Sequence, residues 1–388
     1  MILVVSCGRN NPDDLTASGI MKDPIRIGVF TLGSVSEKDD SGKELDGIRV
    51  AHAVMPRVKD IPVELVVHTL GNVGEDPGLG VGRIAAEKDL KGLILCGSGV
   101  REMAWKIDQL PGDIPVIAPS WQQVFSGEHP GGSPVWSLAA SLQDHARAAA
   151  VFITETLMNK KVAVILDETS SDCVLLSSLF AAQLLSAGGS IADIVSIAGG
   201  NIHSGSLDHL TRHRPEVVFL PYSVGTSKEV ISWIASVELH VPIVVCNMEN
   251  ENHLLDAEIE MPESVYLIVD YHADAVQNCI ARDFVRLFKK QHPKVHLSAR
   301  AARGGEAYLI LAELLSTCDI PQRNPRSVDG MGFGDHITGV HRVGDSGEIH
   351  TPLYAARVRT RFLRSTVLEY VGEINTESLD SGGDIGAE

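Results

Sequence analysis

Short apolar runs alternate with helical patterns along most of the chain. The first run, Ile25–Phe30, is rich in β-branched residues, and the runs Val63–His68 and Gly92–Cys96 have the same character. Between the first two runs, residues 42–58 place apolar side chains at helical spacing. Nearly continuous apolar strands separated by helices of about 10–15 residues are typical of βαβ units. The pattern predicts an α/β fold built on a parallel sheet.

The same alternation starts again after Trp136. Residues 143–158 have the apolar spacing of a helix, and Lys161–Asp167 has the composition of a buried strand. Two successive α/β lobes with right-handed crossovers are the natural interpretation. Further strands of the second lobe are predicted at Ile191–Ile197, Val217–Leu220, Ile243–Cys246 and Val265–Val269.

The last third of the chain has a different pattern. Helices are predicted over 273–291 and 303–318, and antiparallel strands within 337–370. The segment 373–388 is polar and rich in Gly, Ser and Asp, so we expect a disordered tail there.

Composition narrows the possible functions. The 388 residues include 50 Asp and Glu against 33 Lys and Arg, a formal charge of −17. A nucleic-acid-binding face must be cationic, so no nucleic-acid partner is expected. No run reaches the roughly 18 apolar residues that a membrane span requires.

The N-terminal residues suggest attachment to the membrane by a lipid rather than by a membrane-spanning segment. Val4-Val5-Ser6-Cys7 resembles a bacterial lipoprotein box, in which the cysteine is lipidated after cleavage. On this interpretation residues 1–21 are a signal remnant and tether, and we expect the basic front of the signal to precede Met1. An ordinary frayed terminus is the alternative.

The six cysteines are widely spaced and include no Cys-x-x-Cys pair. Zinc-ribbon and thioredoxin chemistry therefore have no support. Cys96 and Cys246 end apolar runs, which is typical of buried thiols. The connectivity of any disulfide stays open.

Several motifs occur in the order found in one family of receptors. The order resembles that of type I periplasmic solute-binding proteins, specifically the branched-chain amino acid receptors of ABC importers. The segments that carry the resemblance are Ile27-Gly28-Val29, Asp46-Gly47-Ile48, Asp76-Pro77, Gly97-Ser98-Gly99, Ile114 to Ser120, Ala187-Gly188-Gly189, Pro215 to Phe219 and Val241-Pro242-Ile243.

The resemblance implies two Rossmann-like lobes joined by a three-segment hinge, with a solute captured between them. It places 22–137 with 272–330 in lobe I, and 138–271 with 331–372 in lobe II. It also implies no catalysis, no cofactor and no bound metal. The implied partners are a small-molecule ligand and a membrane permease, in the periplasm or on the outer cell surface.

Candidate ligand contacts follow from the strand ends. In open α/β sheets, ligands bind beyond the carboxyl ends of the strands. Ser98 and the Gly99 N–H open a predicted helix, where a carboxylate is favoured, and Ser120 can add a hydroxyl. The full set of candidate contacts is Ser34, Ser98, Gly99, Ser120, Trp121, Ser141, Tyr222, Asn247 and Glu249.

Some of these residues have simpler interpretations. Ser98 can cap its helix, Trp121 can be a core aromatic and Glu249 a solvated surface residue. Ser141 and Asn247 stand where the family resemblance calls for acidic groups that hold a ligand ammonium. The ligand class is therefore an amino acid or a related small carboxylate, without a more specific assignment.

Other chemistry has weaker support. Gly78-x-Gly80-x-Gly82 hints at a dinucleotide loop with its third glycine misplaced, and His209 with His213 has the spacing of a metal pair without a clear third ligand. No nucleophile elbow, Walker loop or His-Glu-x-x-His motif occurs. A ligand sensor of the same fold, or an enzyme on a doubly wound fold, is the alternative function.

Overall fold

A computed structural model describes most of the two predicted lobes. The described residues are 23–32, 40–70, 84, 86–87, 89–97, 100, 114–120, 123, 135–198, 210–221, 224–236, 239–246, 264–317, 332–333, 335–343, 349–360 and 366–376. No helix among them is long and apolar enough to span a membrane.

The first sheet has six strands in the described part of the chain, in the order β2-β3-β1-β4-β5-β6. All neighbours pair in parallel except β2 with β3. The parallel alternation predicted from the apolar runs is confirmed here. The strands are β1 Ile25–Leu32, β2 Arg57–Val58, β3 Ile61–Leu70, β4 Leu90–Cys96, β5 Val116–Ala118 and β6 Val135–Ser137.

The second sheet has seven described strands in the order β16-β15-β11-β10-β9-β7-β8. It is parallel from β11 to β8, and an antiparallel hairpin of β15 and β16 extends it. A small antiparallel sheet, β12-β13-β14, stands apart. The strands are β7 Lys161–Asp167, β8 Ser190–Ile197, β9 Val217–Leu220, β10 Ile243–Cys246, β11 Val265–Val269, β12 Gly332–Phe333, β13 His341–Val343, β14 Ile349–His350, β15 Tyr354–Thr360 and β16 Thr366–Glu373.

Helices cover the sheets, and several of their ends differ from those predicted. The long helices are α1 Asp40–Val54, α2 Leu142–Val151 with a π-helical turn Phe152–Thr156, α3 Ser171–Ser186, α4 Val224–Ser236, α5 Cys279–Gln291 and α6 Ala299–Thr317. The helix predicted to reach Val58 ends at Val54, because Pro56 disfavours helical backbone at the residue before it. The helix predicted from 273 begins at Cys279, where the Asn278 side chain accepts from the Ala281 N–H.

Each sheet has an apolar core on both faces. Ile27 and Val29 pack on one face of the first sheet, and Leu93 and Leu95 on the other. The second sheet alternates in the same way, because successive strand residues point to opposite faces.

The chain crosses three times between the apolar core of the first sheet and that of the second. It leaves the core of the first sheet after Leu138, returns to it at Tyr271 and leaves it again between Ile349 and Leu353. Three crossings agree with the expected three-segment hinge. The third crossing lies later than the division at 331 expected from sequence, because Phe333 and Ile337 pack in the first core.

The tail also begins later than predicted. Glu373 ends β16, and the N–H of the buried Ile374 donates to the Leu353 carbonyl. Residues 373–376 are therefore ordered by strand pairing and burial, and the rest of the predicted tail, 377–388, lies outside the described residues.

Candidate functional site

The carboxyl ends of β4 and β5 lie side by side at one edge of the first sheet. Gly97 follows β4, and Ser120 comes two residues after β5. Gly97 has φ +104°, a conformation that side-chain-bearing residues rarely adopt. Its N–H donates to a Glu44 carboxylate oxygen at 2.9 Å. The loop predicted to meet the solute is thus tied to α1 at its first residue.

Glu44 is a fully buried carboxylate in α1. The Arg300 Nη1 lies 3.4 Å from its Oε1. Burial raises the pKa of Glu44, and Arg300, Ser120 and the Gly97 N–H oppose that rise by stabilising the ionised form.

Arg303, which follows Arg300 in α6, contacts the loop after β5 and the second crossing between the lobes. Its Nη2 donates to Ser120 Oγ at 3.2 Å, and its Nη1 pairs with the Asp270 carboxylate. Asp270 directly follows β11, where the chain passes from the second core to the first. We call the connected group the Glu44 network; its members are Glu44, Gly97, Ser120, Asp270, Arg300 and Arg303.

Close helix packing brings the charged members of the network together. A Cβ on Gly47 of α1 would lie 1.8 Å from the Ala301 carbonyl oxygen, and one on Gly304 of α6 would lie 2.2 Å from the Glu44 carbonyl oxygen. Only glycine allows the two backbones to approach so closely. Glu44 on α1 therefore meets Arg300 on α6.

The third crossing has a hydrogen-bond network of its own. Glu306, fully buried in α6, accepts the N–H groups of Ile337 at 2.6 Å and Thr338 at 2.9 Å. The Thr338 hydroxyl lies 2.7 Å from His341 Nε2, and the Tyr354 hydroxyl donates to the Thr338 carbonyl at 2.9 Å. Burial lowers the pKa of His341. The segment that enters the second lobe is thus held to α6.

Ser141 lies at the start of α2, where it caps the helix. Its hydroxyl accepts from the Asp144 N–H at 3.0 Å and donates to the Asp144 carboxylate at 2.7 Å, while its own N–H reaches the same carboxylate. This is a capping box at a position that is only 2% exposed. The geometry gives Ser141 a structural role; its predicted contact with a solute stays a prediction.

Ser120 and Ser141 are the predicted contacts that the described residues include. The others, together with the predicted lipidation site, lie outside them: Ser34, Ser98, Gly99, Trp121, Tyr222, Asn247, Glu249 and Cys7. Of the histidine pair, His209 also lies outside, and His213 Nδ1 pairs with Asp193 at 3.3 Å. Within the described ranges no group of three possible ligands could hold a metal ion.

Sequence reasoning missed Glu44, Arg300, Arg303 and Asp270. Charged side chains are usually solvated, so the residue types did not indicate that these four are buried and paired. The glycine at Gly47 and the pair Gly304-Gly305 were the available hint, because glycines inside a helix are disfavoured unless another backbone approaches closely.

Comparison with known proteins identifies the fold. No family model matches the sequence, and no curated protein matches it in sequence. The leucine-binding protein LivK of Thermotoga maritima is 18% identical and has a TM-score of 0.66, covering 91% of this chain and 99% of its own. LivJ of Streptococcus pneumoniae, solved with isoleucine, is 13% identical with a TM-score of 0.67, covering 90% and 100%.

A third similar structure binds a different solute. A solute-binding protein of an ABC transporter from R. palustris, solved with benzoate, is 13% identical, with a TM-score of 0.63 and coverage of 90% and 96%. These similarities extend over nearly the whole of each chain. The chain has the type I periplasmic binding protein fold, which confirms the fold class expected from sequence.

Proposed function

We propose that this chain is the solute-binding receptor of an ABC importer and holds an amino acid or related small carboxylate between its lobes. The carrying observation is the Glu44 network. It ties the loops after β4 and β5, where solutes bind in such sheets, to α6, whose Arg303 also pairs with Asp270 at the second crossing. A solute that contacts both lobes when they close shifts the hinge equilibrium toward the closed state.

The similar structures support the solute class. Two of them were solved with isoleucine and benzoate, which share a carboxylate although their other groups differ. The fold neighbours are solute-binding proteins, which supports a receptor without catalysis, a permease partner and a place outside the cytoplasm. The Ser98 hydroxyl and the Gly99 N–H would hold the carboxylate.

The test is a titration of the purified protein with L-leucine, L-isoleucine, benzoate and 4-hydroxybenzoate. At 100 times its Kd, a solute should stabilise the folded protein by about 2.7 kcal/mol, seen as a rise in Tm. Ser98→Ala should weaken binding. Ser178→Ala should not, because Ser178 is exposed on α3 and hydrogen-bonds within its own helix.

No Tm shift and no calorimetric heat with any of the four solutes at millimolar concentration would refute this solute class. Consumption of any of them would refute the receptor proposal in favour of an enzyme.

Lipid anchoring at Cys7 is a separate proposal, supported by the lipoprotein-like residues before it. Mass spectrometry of the protein from bacterial membranes should find an acylated Cys7. Cys7→Ser should release the protein into the soluble fraction, and an unmodified membrane-free wild type would contradict the proposal.

A further inference from the structure

Two carboxylates of α6 lie on either side of His336, in the segment that leads to the third crossing between the lobes. His336 Nδ1 is 3.4 Å from Glu306 Oε1, and its Nε2 is 3.5 Å from Glu313 Oε2. The two glutamates lie about two turns apart on one face of the helix. Glu306 and His336 are buried, and the Glu313 side chain is 34% exposed. Each nitrogen of one imidazole ring thus faces a carboxylate.

This arrangement favours a charged histidine. A carboxylate only accepts hydrogen bonds, and a neutral imidazole has one N–H and one lone pair. Neutral His336 would turn its lone pair toward one of the two carboxylates, whereas the imidazolium carries a hydrogen on both nitrogens. Within the described ranges, the buried Oε1 of Glu306 accepts no hydrogen bond. Such an oxygen is costly to bury, and a positive charge on His336 would compensate it.

We propose that His336 is a proton-operated switch on the third crossing. At low pH its imidazolium is attracted to both Glu306 and Glu313 and holds the segment to α6. When the ring loses its second proton, one attraction becomes a repulsion and the segment is held less tightly. Histidine is the side chain whose charge ordinarily changes between pH 5 and 8. The switch acts on the solute-free protein, so it goes beyond the proposed function and does not depend on which solute binds.

Glu306 carries the effect of the proton toward the second lobe. Its other oxygen, Oε2, accepts the N–H groups of Ile337 and Thr338, which directly follow His336. The Thr338 carbonyl accepts a hydrogen bond from the hydroxyl of Tyr354, the first residue of β15. A change of charge at His336 therefore acts on the bonds that join α6 to the second sheet.

The neighbouring titratable groups do not replace His336 in this role. His341 Nε2 lies 3.8 Å from the same Glu306 oxygen. Burial lowers the pKa of His341, with Glu306 opposing this shift and His336 adding to it, so the neutral form of His341 is favoured. Burial also raises the pKa of the Tyr354 hydroxyl, which stays protonated. The further charged groups around the site are Asp270 after β11, its partner Arg303 on α6, Asp335 beside His336 and Glu373 at the end of β16.

Hydrogen exchange of the Ile337 and Thr338 amides tests the switch. Protection is the ratio of the exchange rate of an unstructured chain to the measured rate at the same pH. It should fall about tenfold in the wild type between about pH 5.5 and about pH 8.5, because one interaction with a charged group is lost.

A conservative variant separates the switch from other effects of pH. Glu313→Gln should abolish the fall in protection, because neutral His336 can then donate to Glu306 and accept from the new amide. His296→Gln is the matched control. It replaces an exposed histidine between α5 and α6 and should leave the fall as in the wild type.

Nitrogen-15 spectra of the His336 ring report its protonation directly. Both ring nitrogens should carry a hydrogen at about pH 5.5 and only one of them at about pH 8.5. A neutral ring at the lower pH, or equal protection at the two pH values, would overturn the proposal. An equal fall in the wild type and in Glu313→Gln would assign the pH dependence to other groups and would overturn it as well. No solute enters these measurements, so their outcome is independent of the proposed function.

Discussion

The two lobes share a strand–helix plan but bury polar groups in different ways. In the helices of the second lobe two buried hydroxyls bond locally: Ser177 donates to the Cys173 carbonyl at 2.7 Å and Thr154 to that of Ala150 at 2.8 Å. In the first lobe the buried pair Glu44–Arg300 joins residues 256 positions apart. Local bonds complete a helix, whereas the long-range pair fixes where two helices and two loops meet.

The difference has an energetic reason. Removing a charge from water costs several kcal/mol, and a pair recovers this only with good geometry and further hydrogen bonds. The first lobe supplies these at the end of its sheet, where the loops after β4 and β5 begin. The buried charges there fix the positions of helices and loops more than they stabilise the fold. Four variants compare the two lobes in this respect.

Arg300→Met should have the largest effect. It removes the near counter-ion of the buried Glu44 and should lower the free energy of unfolding by about 3–5 kcal/mol in urea titrations. The matched control Arg359→Met in the second lobe breaks a half-exposed pair and should cost about 0–1 kcal/mol. Adding Glu44→Gln to Arg300→Met should recover much of the loss; equal losses in single and double variants would contradict the pairing.

Gly47→Ala should come next. Its Cβ would meet the Ala301 carbonyl oxygen at 1.8 Å, so the helices must separate, at a cost of about 1–3 kcal/mol. Gly372 in β16 has nothing within 4 Å of the added Cβ, and Gly372→Ala should change stability by less than about 0.5 kcal/mol. Both are measured by thermal and urea unfolding, and equal costs would show that the α1–α6 contact is not tight.

Glu44→Gln should change how stability depends on pH. Burial raises the folded pKa of Glu44 above its ordinary 4.5, so its contribution is fully present below pH 4.5 and is lost as pH rises toward the folded pKa. Glutamine has no such dependence. Relative to wild type, the variant should gain stability as pH rises from 4.5, by at most about 1.4 kcal/mol per pH unit in urea unfolding. If the stability of the variant relative to wild type instead fell as pH rises, the pKa of Glu44 in the folded protein would be lowered.

Ser141→Ala should have the smallest effect. It removes the capping box of α2 in the second lobe and should cost about 1 kcal/mol of stability. Ser141→Thr keeps the hydroxyl and should recover most of it. If alanine weakens solute binding well beyond its effect on stability, Ser141 contacts the solute as the sequence predicted.

The sequence by itself determined the two-lobed α/β plan. Val217–Leu220, Ile243–Cys246 and Val265–Val269 were predicted residue for residue, because a buried strand is a local apolar run whose length and composition are visible in the chain. Element ends were less accurate where a single residue decides them, as Pro56 and Asn278 do for α1 and α5.

Only the tertiary structure decided which charged residues act together. Glu44 and Arg300 look like ordinary helix residues in the sequence, and their pairing depends on two helices meeting at Gly47 and Gly304. The same holds for Arg303 and Asp270, which meet because the chain crosses between the lobes beside α6. Periodicity records which face of an element is buried, but not which distant side chain lies opposite.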